Sequence, residues 1–229
     1  ALIRQEFTAN VSHELKTPLH AISGYAELLE NEMVKEEDIK PFAGKIREES
    51  TRMTKLVEDI IDLTKLDNGG IEMKWEVCDL YRIEENAVDS LEVAATDLGV
   101  EVTVDGTDAP IRAIPQMIYS IVYNLCDNAI KYNHCGGNVN IRVHQTLYNA
   151  VLSVKDTGIG IPEESRERIF ERFYRVDKSR SKEVGGTGLG LSIVKHAVMI
   201  HNGKIEVKSE LGEGTEMIVT IPNKQDINL

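Results

Sequence analysis

The sequence predicts an α+β protein: a helical hairpin followed by an α/β sandwich. Two observations carry this. The first 66 residues space their apolar side chains by threes and fours, and from about residue 71 strand-like and helix-like stretches interleave without strict alternation. The chain has 229 residues, enough for one or two domains, and 41% of them are apolar. With seven Tyr, four Phe and one Trp, the core must be mostly aliphatic. Twenty-six basic against 38 acidic residues leave a net charge of −12. Such a chain is a poor general binder of nucleic acid or anionic membrane, so a phosphate site must rely on local donors or a metal. Cys78, Cys126 and Cys135 stand far apart, with no zinc spacing, which fits a reducing compartment. No stretch is long and apolar enough to span a membrane. The opening Ala-Leu-Ile-Arg-Gln, already in helical rhythm, is read as part of a longer protein with its cytoplasmic portion here.

Ile3, Phe7, Val11, Leu15, Leu19, Ile22, Ala26, Leu29 and Met33 form one face of a first helix. After the polar Lys35-Glu36-Glu37-Asp38, the residues Phe42, Ile46, Met53, Leu56, Ile60 and Leu63 form the face of a second, ending near Leu66. A lone hairpin cannot bury both faces well, and pairing two hairpins into a four-helix bundle solves this, which predicts a homodimer. Asp67-Asn68-Gly69-Gly70 reads as a linker. Beyond it a strand is expected at Ile71–Val77, a helix from the cap Asp79 to Leu98 with Gly99 as its stop, and a strand at Val100–Val104. Pro115 opens a helix to Tyr132. Val139–Leu147 and Ala150–Val154 pair as strands through Tyr148-Asn149, and another helix starts near Pro162. Asp177–Gly186 is a polar loop, Leu189–His201 a helix, and Lys204–Ser209 and Glu216–Ile221 the closing strands.

Five clusters carry chemistry. On the first helix, stepping about 100° per residue from Val11, His13 falls near 200°, opposite the apolar face. Glu14 adjoins it, Thr17 lies one turn on, and Pro18 clashes with the Glu14 carbonyl, which predicts a kink. A neutral imidazole is a nucleophile, and the carboxylate can orient it or take its proton. His20 is equally outward but lacks the neighbour. Asn124, Asn128 and Lys131 share one face of the helix that Pro115 opens, where two amide oxygens and an ammonium suit Mg²⁺ and phosphate. Asp156, after a strand, can accept from the exocyclic amine of a base, with Gly158 and Gly160 allowing close backbone approach. Gly185 through Ser192 (Gly186, Thr187, Gly188, Leu189, Gly190 and Leu191 among them) opens a helix and offers amides to phosphate. Between these, Phe170 and Phe173 anchor the loop root, and Arg175 and Arg180 are phosphate clamps. Alone, each cluster also fits an ordinary role: a surface histidine, a solvated asparagine pair, a strand-end turn, a hinge, a charged surface.

In order, HELKTP, NLCDNAIKY, DTGIGIP, RIFERFYR and GGTGLGLS together resemble the sensor histidine kinases of bacterial two-component signalling, over nearly the whole chain. The resemblance implies a dimerisation and phosphotransfer hairpin at 1–66, a linker at 67–70, and at 71–229 an ATP-binding domain of the gyrase and heat-shock-chaperone type. It implies His13 as phosphoacceptor, Glu14 as its base, and Thr17 as the residue placing water in a reverse, phosphatase reaction. Asn124 and Asn128 would hold Mg²⁺, Lys131 would touch phosphate, and Tyr132 would pack near the base that Asp156 reads. Gly186, Gly188 and Gly190 would line the phosphate side, with Arg175 facing the terminal phosphate. The partner implied is a response-regulator receiver domain in trans. Two other classes stay open: an ATP-switched conformational machine that forms no phosphohistidine, and a silent receiver-binding scaffold. One position departs from the family pattern. Ile114 stands where an acidic residue is usual, which puts the start of its helix in doubt.

Overall fold

The computed structural model describes residues 2–68, 74–177 and 186–223. Helices α1 (Leu2–Glu30) and α2 (Glu36–Asn68) form the hairpin, packed side by side. Pro18 lies inside α1, which stays one continuous helix around it. Its apolar face is only half covered. Leu15 packs on the core, whereas Leu19 is 49% exposed. Met33, expected on this face, lies beyond the helix in the connection to α2 and is 72% exposed. In α2 the buried side chains, Leu56, Asp59, Leu63 and Leu66, gather in the second half, where α2 meets the rest of the protein.

The remainder is a two-layer sandwich. Strand β1 (Glu76–Asp79) pairs antiparallel with β3 (Pro110–Ala113), and a five-stranded sheet runs β2 (Glu101–Gly106), β4 (Asn138–Gln145), β5 (Asn149–Asp156), β7 (Gly214–Pro222), β6 (Lys204–Glu210). Only the β2–β4 pair of that sheet is parallel. Alternate residues bury one face: Val139, Ile141 and Val143 on β4, Ala150, Leu152 and Val154 on β5, Val219 and Ile221 on β7. Against them lie α3 (Leu80–Asp89), α4 (Glu92–Leu98), α5 (Pro115–Lys131) and α6 (Gly190–Ile200), with α5 central between α3 and α6.

Several expected bounds are corrected. The first strand begins at Glu76, and positions 71–73 lie outside the described residues. The helix expected from Asp79 to Leu98 is two, because the Ser90 hydroxyl donates to the Ala87 carbonyl (2.7 Å) and competes with helix propagation. Asp79 does cap α3, accepting from the Tyr81 amide at 3.0 Å, and Gly99 does end α4 at φ 65°. Strand β3 was not anticipated, its four residues being too few to show a period. The β4–β5 connection is Thr146, Leu147 and Tyr148 rather than Tyr148-Asn149. In place of a helix after Pro162 there are two single 3₁₀ turns, Glu163–Ser165 and Arg168–Phe170, closed by i→i+3 bonds such as Glu171 N–H to Arg168 O at 2.8 Å. Their fold-back brings the Tyr174 hydroxyl to Ser165 Oγ at 3.0 Å, a contact that a straight helix would not allow.

Ile114 is the buried N-cap of α5 and supplies no side-chain cap. Its own amide is satisfied instead by buried His201, whose Nε2 accepts at 3.0 Å while Nδ1 donates to the Ala197 carbonyl at 2.7 Å. Burial holds the His201 pKa below its ordinary value, in keeping with this neutral ring.

Candidate nucleotide site

Helix α5 presents Asn124, Asn128, Lys131 and Tyr132 along one side of a cavity of about 350 Å³. The end of β5 adds Asp156, the following turn adds Gly160, and the start of α6 adds Gly186, Thr187, Gly188, Gly190 and Leu191. Arg175 completes the wall. Thus residues more than 60 positions apart in the chain converge because α5 and α6 lie side by side on the sheet.

Asp156 Oδ1 accepts the amides of Gly158 (2.8 Å) and Thr215 (3.2 Å), which fixes the carboxyl. Among the described residues no protein donor meets Oδ2, the oxygen left for an incoming amine. Burial raises the Asp156 pKa, and the two amides only partly reverse that. Asn124 is buried, and its Nδ2 donates to Ser120 O (2.8 Å) and Ser120 Oγ (3.2 Å). This turns Oδ1 toward Gly190, where an added Cβ would lie 2.6 Å from it. Two neutral amide oxygens are hard donors that leave most of a Mg²⁺ shell to water and phosphate, so this donor set fits that ion. Lys131 Nζ donates to Asp127 Oδ2 at 2.6 Å, one turn back on the same helix.

The loop root is built as a lock. Phe173 sits at φ 63°, a strained value for a bulky residue, and its amide donates to Gly188 O at 2.8 Å. Gly188, at φ 74°, approaches so closely that a Cβ there would meet Phe173 Cα at 2.9 Å. Phe170 packs on the core as expected, with Lys195 Nζ 5.7 Å from its ring centre. Phe173 also reaches out to α1, where its ring lies 5.9 Å from Phe7. Gly158, Phe170, Phe173 and Leu189 support the cavity from outside its wall. Arg180 lies outside the described residues.

His13 is outward as read, its side chain 80% exposed. Glu14 Oε1 stands 3.8 Å from His13 Nδ1, within reach of a charge pair but not of a hydrogen bond, while Oε2 accepts from Arg175 Nη2 at 2.9 Å. Arg175 is thereby tied to the hairpin. The Thr17 hydroxyl donates back to the His13 carbonyl at 3.2 Å. Sequence reasoning missed Lys55 and Asp59, which enter the cavity wall from α2. Asp59 Oδ2 accepts from Thr187 Oγ1 at 2.6 Å, and Lys55 Nζ lies 3.2 Å from Asp59 Oδ1. No periodicity marks them, since the contact is purely tertiary.

Comparison with known proteins agrees in both parts. The His Kinase A (phospho-acceptor) domain model matches residues 3–69, and the model of histidine kinase-, DNA gyrase B- and HSP90-like ATPases matches residues 113–225. The sensor protein kinase WalK of Staphylococcus aureus is 40% identical over 227 residues, which cover 96% of this chain and 54% of that protein. In WalK of strain JH9 the same identity covers 36% of the protein, so the chain spans between a third and just over half of the curated relatives it matches. Full-length ShkA, solved with AMPPNP, is 28% identical with a TM-score of 0.69, covering 98% of this chain and 47% of that one. ThkA, solved with the response regulator TrrA, shares the fold at a TM-score of 0.75 and 23% identity, covering 96% of this chain and 61% of that one. With both domain models in order and this geometry behind them, the chain belongs to the sensor histidine kinase family.

Proposed function

We propose that this chain autophosphorylates His13 from Mg²⁺-ATP and passes the phosphoryl group to an aspartate of a separate receiver domain. The observation that carries this is the Glu14–Arg175 pair at 2.9 Å. It joins the neighbour of His13 to the wall of the cavity that holds Asn124, Asn128 and Asp156. We read the chain as a phosphotransfer hairpin (1–66) whose second helix runs on to Asn68, a short linker up to 70 and an ATP-binding domain (71–229). The matched models, over 3–69 and 113–225, support a hairpin part and an ATPase part.

Adenine sits on Asp156 Oδ2, with Tyr132 beside it. Asn124 and Asn128 are the residues that would hold Mg²⁺, which offsets charge on the transferring phosphoryl oxygens. Lys131 leaves Asp127 for phosphate, and Arg175 leaves Glu14 for the terminal phosphate. Glu14, released, orients His13 from the Nδ1 side and accepts its proton. His13 Nε2 then attacks phosphorus in line, the bond to the β-phosphate oxygen breaks, and ADP departs. Positioning and electrostatics supply most of the rate. Thr17, whose hydroxyl donates to the His13 carbonyl, is the residue we assign to orienting water in the reverse, phosphatase direction. The partner reading is supported by ThkA, which was solved with its response regulator. Among the described residues no helix is long and apolar enough to cross a membrane. The cytoplasm, where ATP and a receiver protein meet, is the compartment this reading requires.

The test is transfer from γ-labelled Mg²⁺-ATP to the purified chain beside His13→Gln. Acid-labile, alkali-stable label that the variant lacks is expected. Steady release of free phosphate, with no labelled protein and no effect of the variant, would favour the ATP-switch class instead. Label that never appears despite tight ATP binding would overturn the kinase reading too.

A further inference from the structure

The hairpin contributes two side chains to the cavity wall, Lys55 and Asp59, although the rest of that wall belongs to the sandwich. Lys55 Nζ stands 5.3 Å from the Tyr123 ring centre and within electrostatic reach of Asp127. It therefore lies on the α5 side of the cavity, near the Lys131–Asp127 pair. Among the described residues, the lysines and arginines lining the cavity are Lys55, Lys131 and Arg175. Each is matched to a carboxylate: Lys55 to Asp59 at 3.2 Å, Lys131 to Asp127 at 2.6 Å, Arg175 to Glu14 at 2.9 Å. Two of these pairs are i, i+4 neighbours on one helix and the third bridges hairpin and sandwich, so three cations from three segments line one cavity. The same wall carries Asp59, Asp127, Asp156 and Asp177, so a polyphosphate needs every cation the rim can offer.

The two members of the hairpin pair are not alike. Asp59 is buried and fixed by the Thr187 hydroxyl, and it keeps that bond if Lys55 leaves. The Lys55 side chain is 40% exposed, on a flexible four-carbon stem, and can swing. Burial pulls its pKa down, but the charge and hydrogen bond of Asp59, together with Tyr123 and Asp127, more than reverse that, so the ammonium stays charged.

We propose that Lys55 is a nucleotide-binding residue supplied by the hairpin, its ammonium passing from Asp59 to the phosphate chain of the bound nucleotide. This rests on the ATP reading of the cavity. It makes nucleotide affinity depend on the hairpin being seated on the sandwich. Asp59, which holds Thr187 at the start of α6, is the positioning residue of the pair.

Isothermal titration of the whole chain tests this, with Mg²⁺-AMPPNP and Mg²⁺-ADP as ligands and adenosine as a competitor. Lys55→Gln should weaken AMPPNP and ADP about fivefold to twentyfold, one charge-assisted bond less the Asp59 pair given up for it. It should leave adenosine unchanged, and Lys55→Arg should restore most of the loss. AMPPNP affinity within twofold of the parent, or adenosine weakened to the same degree, overturns the proposal. A lowered melting temperature with unchanged affinity does so as well, because Lys55 would then only support Asp59. If Lys55→Gln fails to fold by circular dichroism, Lys55→Met, which keeps the stem, carries the same comparison. A parent chain that binds none of the three ligands refutes the ATP reading itself, an outcome distinct from failure of the Lys55 assignment.

Discussion

Half-buried at the end of β5, Asp156 spends one carboxyl oxygen on two backbone amides and keeps the other for the cavity. Asp156→Asn retains an acceptor for those amides but places an amide donor where a base amine would donate. Affinity for AMPPNP, read by titration calorimetry, should fall about tenfold to a hundredfold with little change in melting temperature. Glu84 of α3 is a different kind of residue. It is fully buried, and neither carboxyl oxygen meets a partner among the described residues. Burial, then the charges of Glu85 and Asp89, push its pKa from 4.5 to about 7. A raised folded-state value means the folded protein holds the proton more tightly than the unfolded chain. The resulting stability is complete below about pH 4.5 and lost as pH rises through about 7. That loss is roughly 3 kcal/mol between the two limits. Glu84→Gln should therefore raise the urea midpoint at pH 8 and flatten its change between pH 5 and 8. An unaltered pH profile would show that Glu84 is not the group titrating.

At the level of elements, the helices with strong boundary chemistry were legible and the short connections were not. Pro115 at the first turn of α5 and the apolar repeat behind it locate that helix from residue types alone. The α3–α4 break depends on one serine hydroxyl choosing a local carbonyl, which no apolar period reports. Asp79 does two jobs, capping α3 and accepting the Ala109 amide at 2.8 Å, so it ties β1, α3 and the approach to β3 together. Asp79→Ala should cost about 1–2 kcal/mol in denaturant unfolding, at the upper end for a cap. The Gly188–Phe173 lock predicts a functional effect besides. Gly188→Ala demands a left-handed alanine against the Phe173 backbone. It should cost about 1–3 kcal/mol and weaken nucleotide binding by displacing the start of α6.

For the whole molecule, the hairpin faces two ways. The second half of α2 is buried against the sandwich, while Leu19, Met33, Ile39, Val57 and Ile61 remain exposed. We read this uncovered face as the seat of a second copy, forming the four-helix bundle. Leu19→Asp, at a position 49% exposed in one chain, should shift the protein toward monomer in sedimentation experiments without unfolding the sandwich. A mass unchanged at low micromolar concentration would place the dimer contact elsewhere. The tie from Arg175 to Glu14 crosses from sandwich to hairpin, and so does that from Thr187 to Asp59, each within a single chain. Adjacency in sequence put Glu14 beside His13, but the buried arginine brought by the other domain is the stronger partner for its carboxylate.

What the sequence by itself determined was the order of elements and most of the cavity. Asn124, Asn128 and Lys131 share a face because of the helical repeat, and the glycines before α6 are there because backbone must approach closely. These are local rules, written in spacing and residue type. The Lys55–Asp59 and Lys131–Asp127 pairs are local, four residues apart on one helix, but only the tertiary structure decided that Arg175 takes Glu14, how Ile114 has its amide satisfied by His201, and that Lys55 and Asp59 belong to the site at all. Those outcomes depend on burial and on contacts between residues far apart in the chain, and a carboxylate's partner is set by which cation is least solvated nearby, a quantity no sequence period encodes.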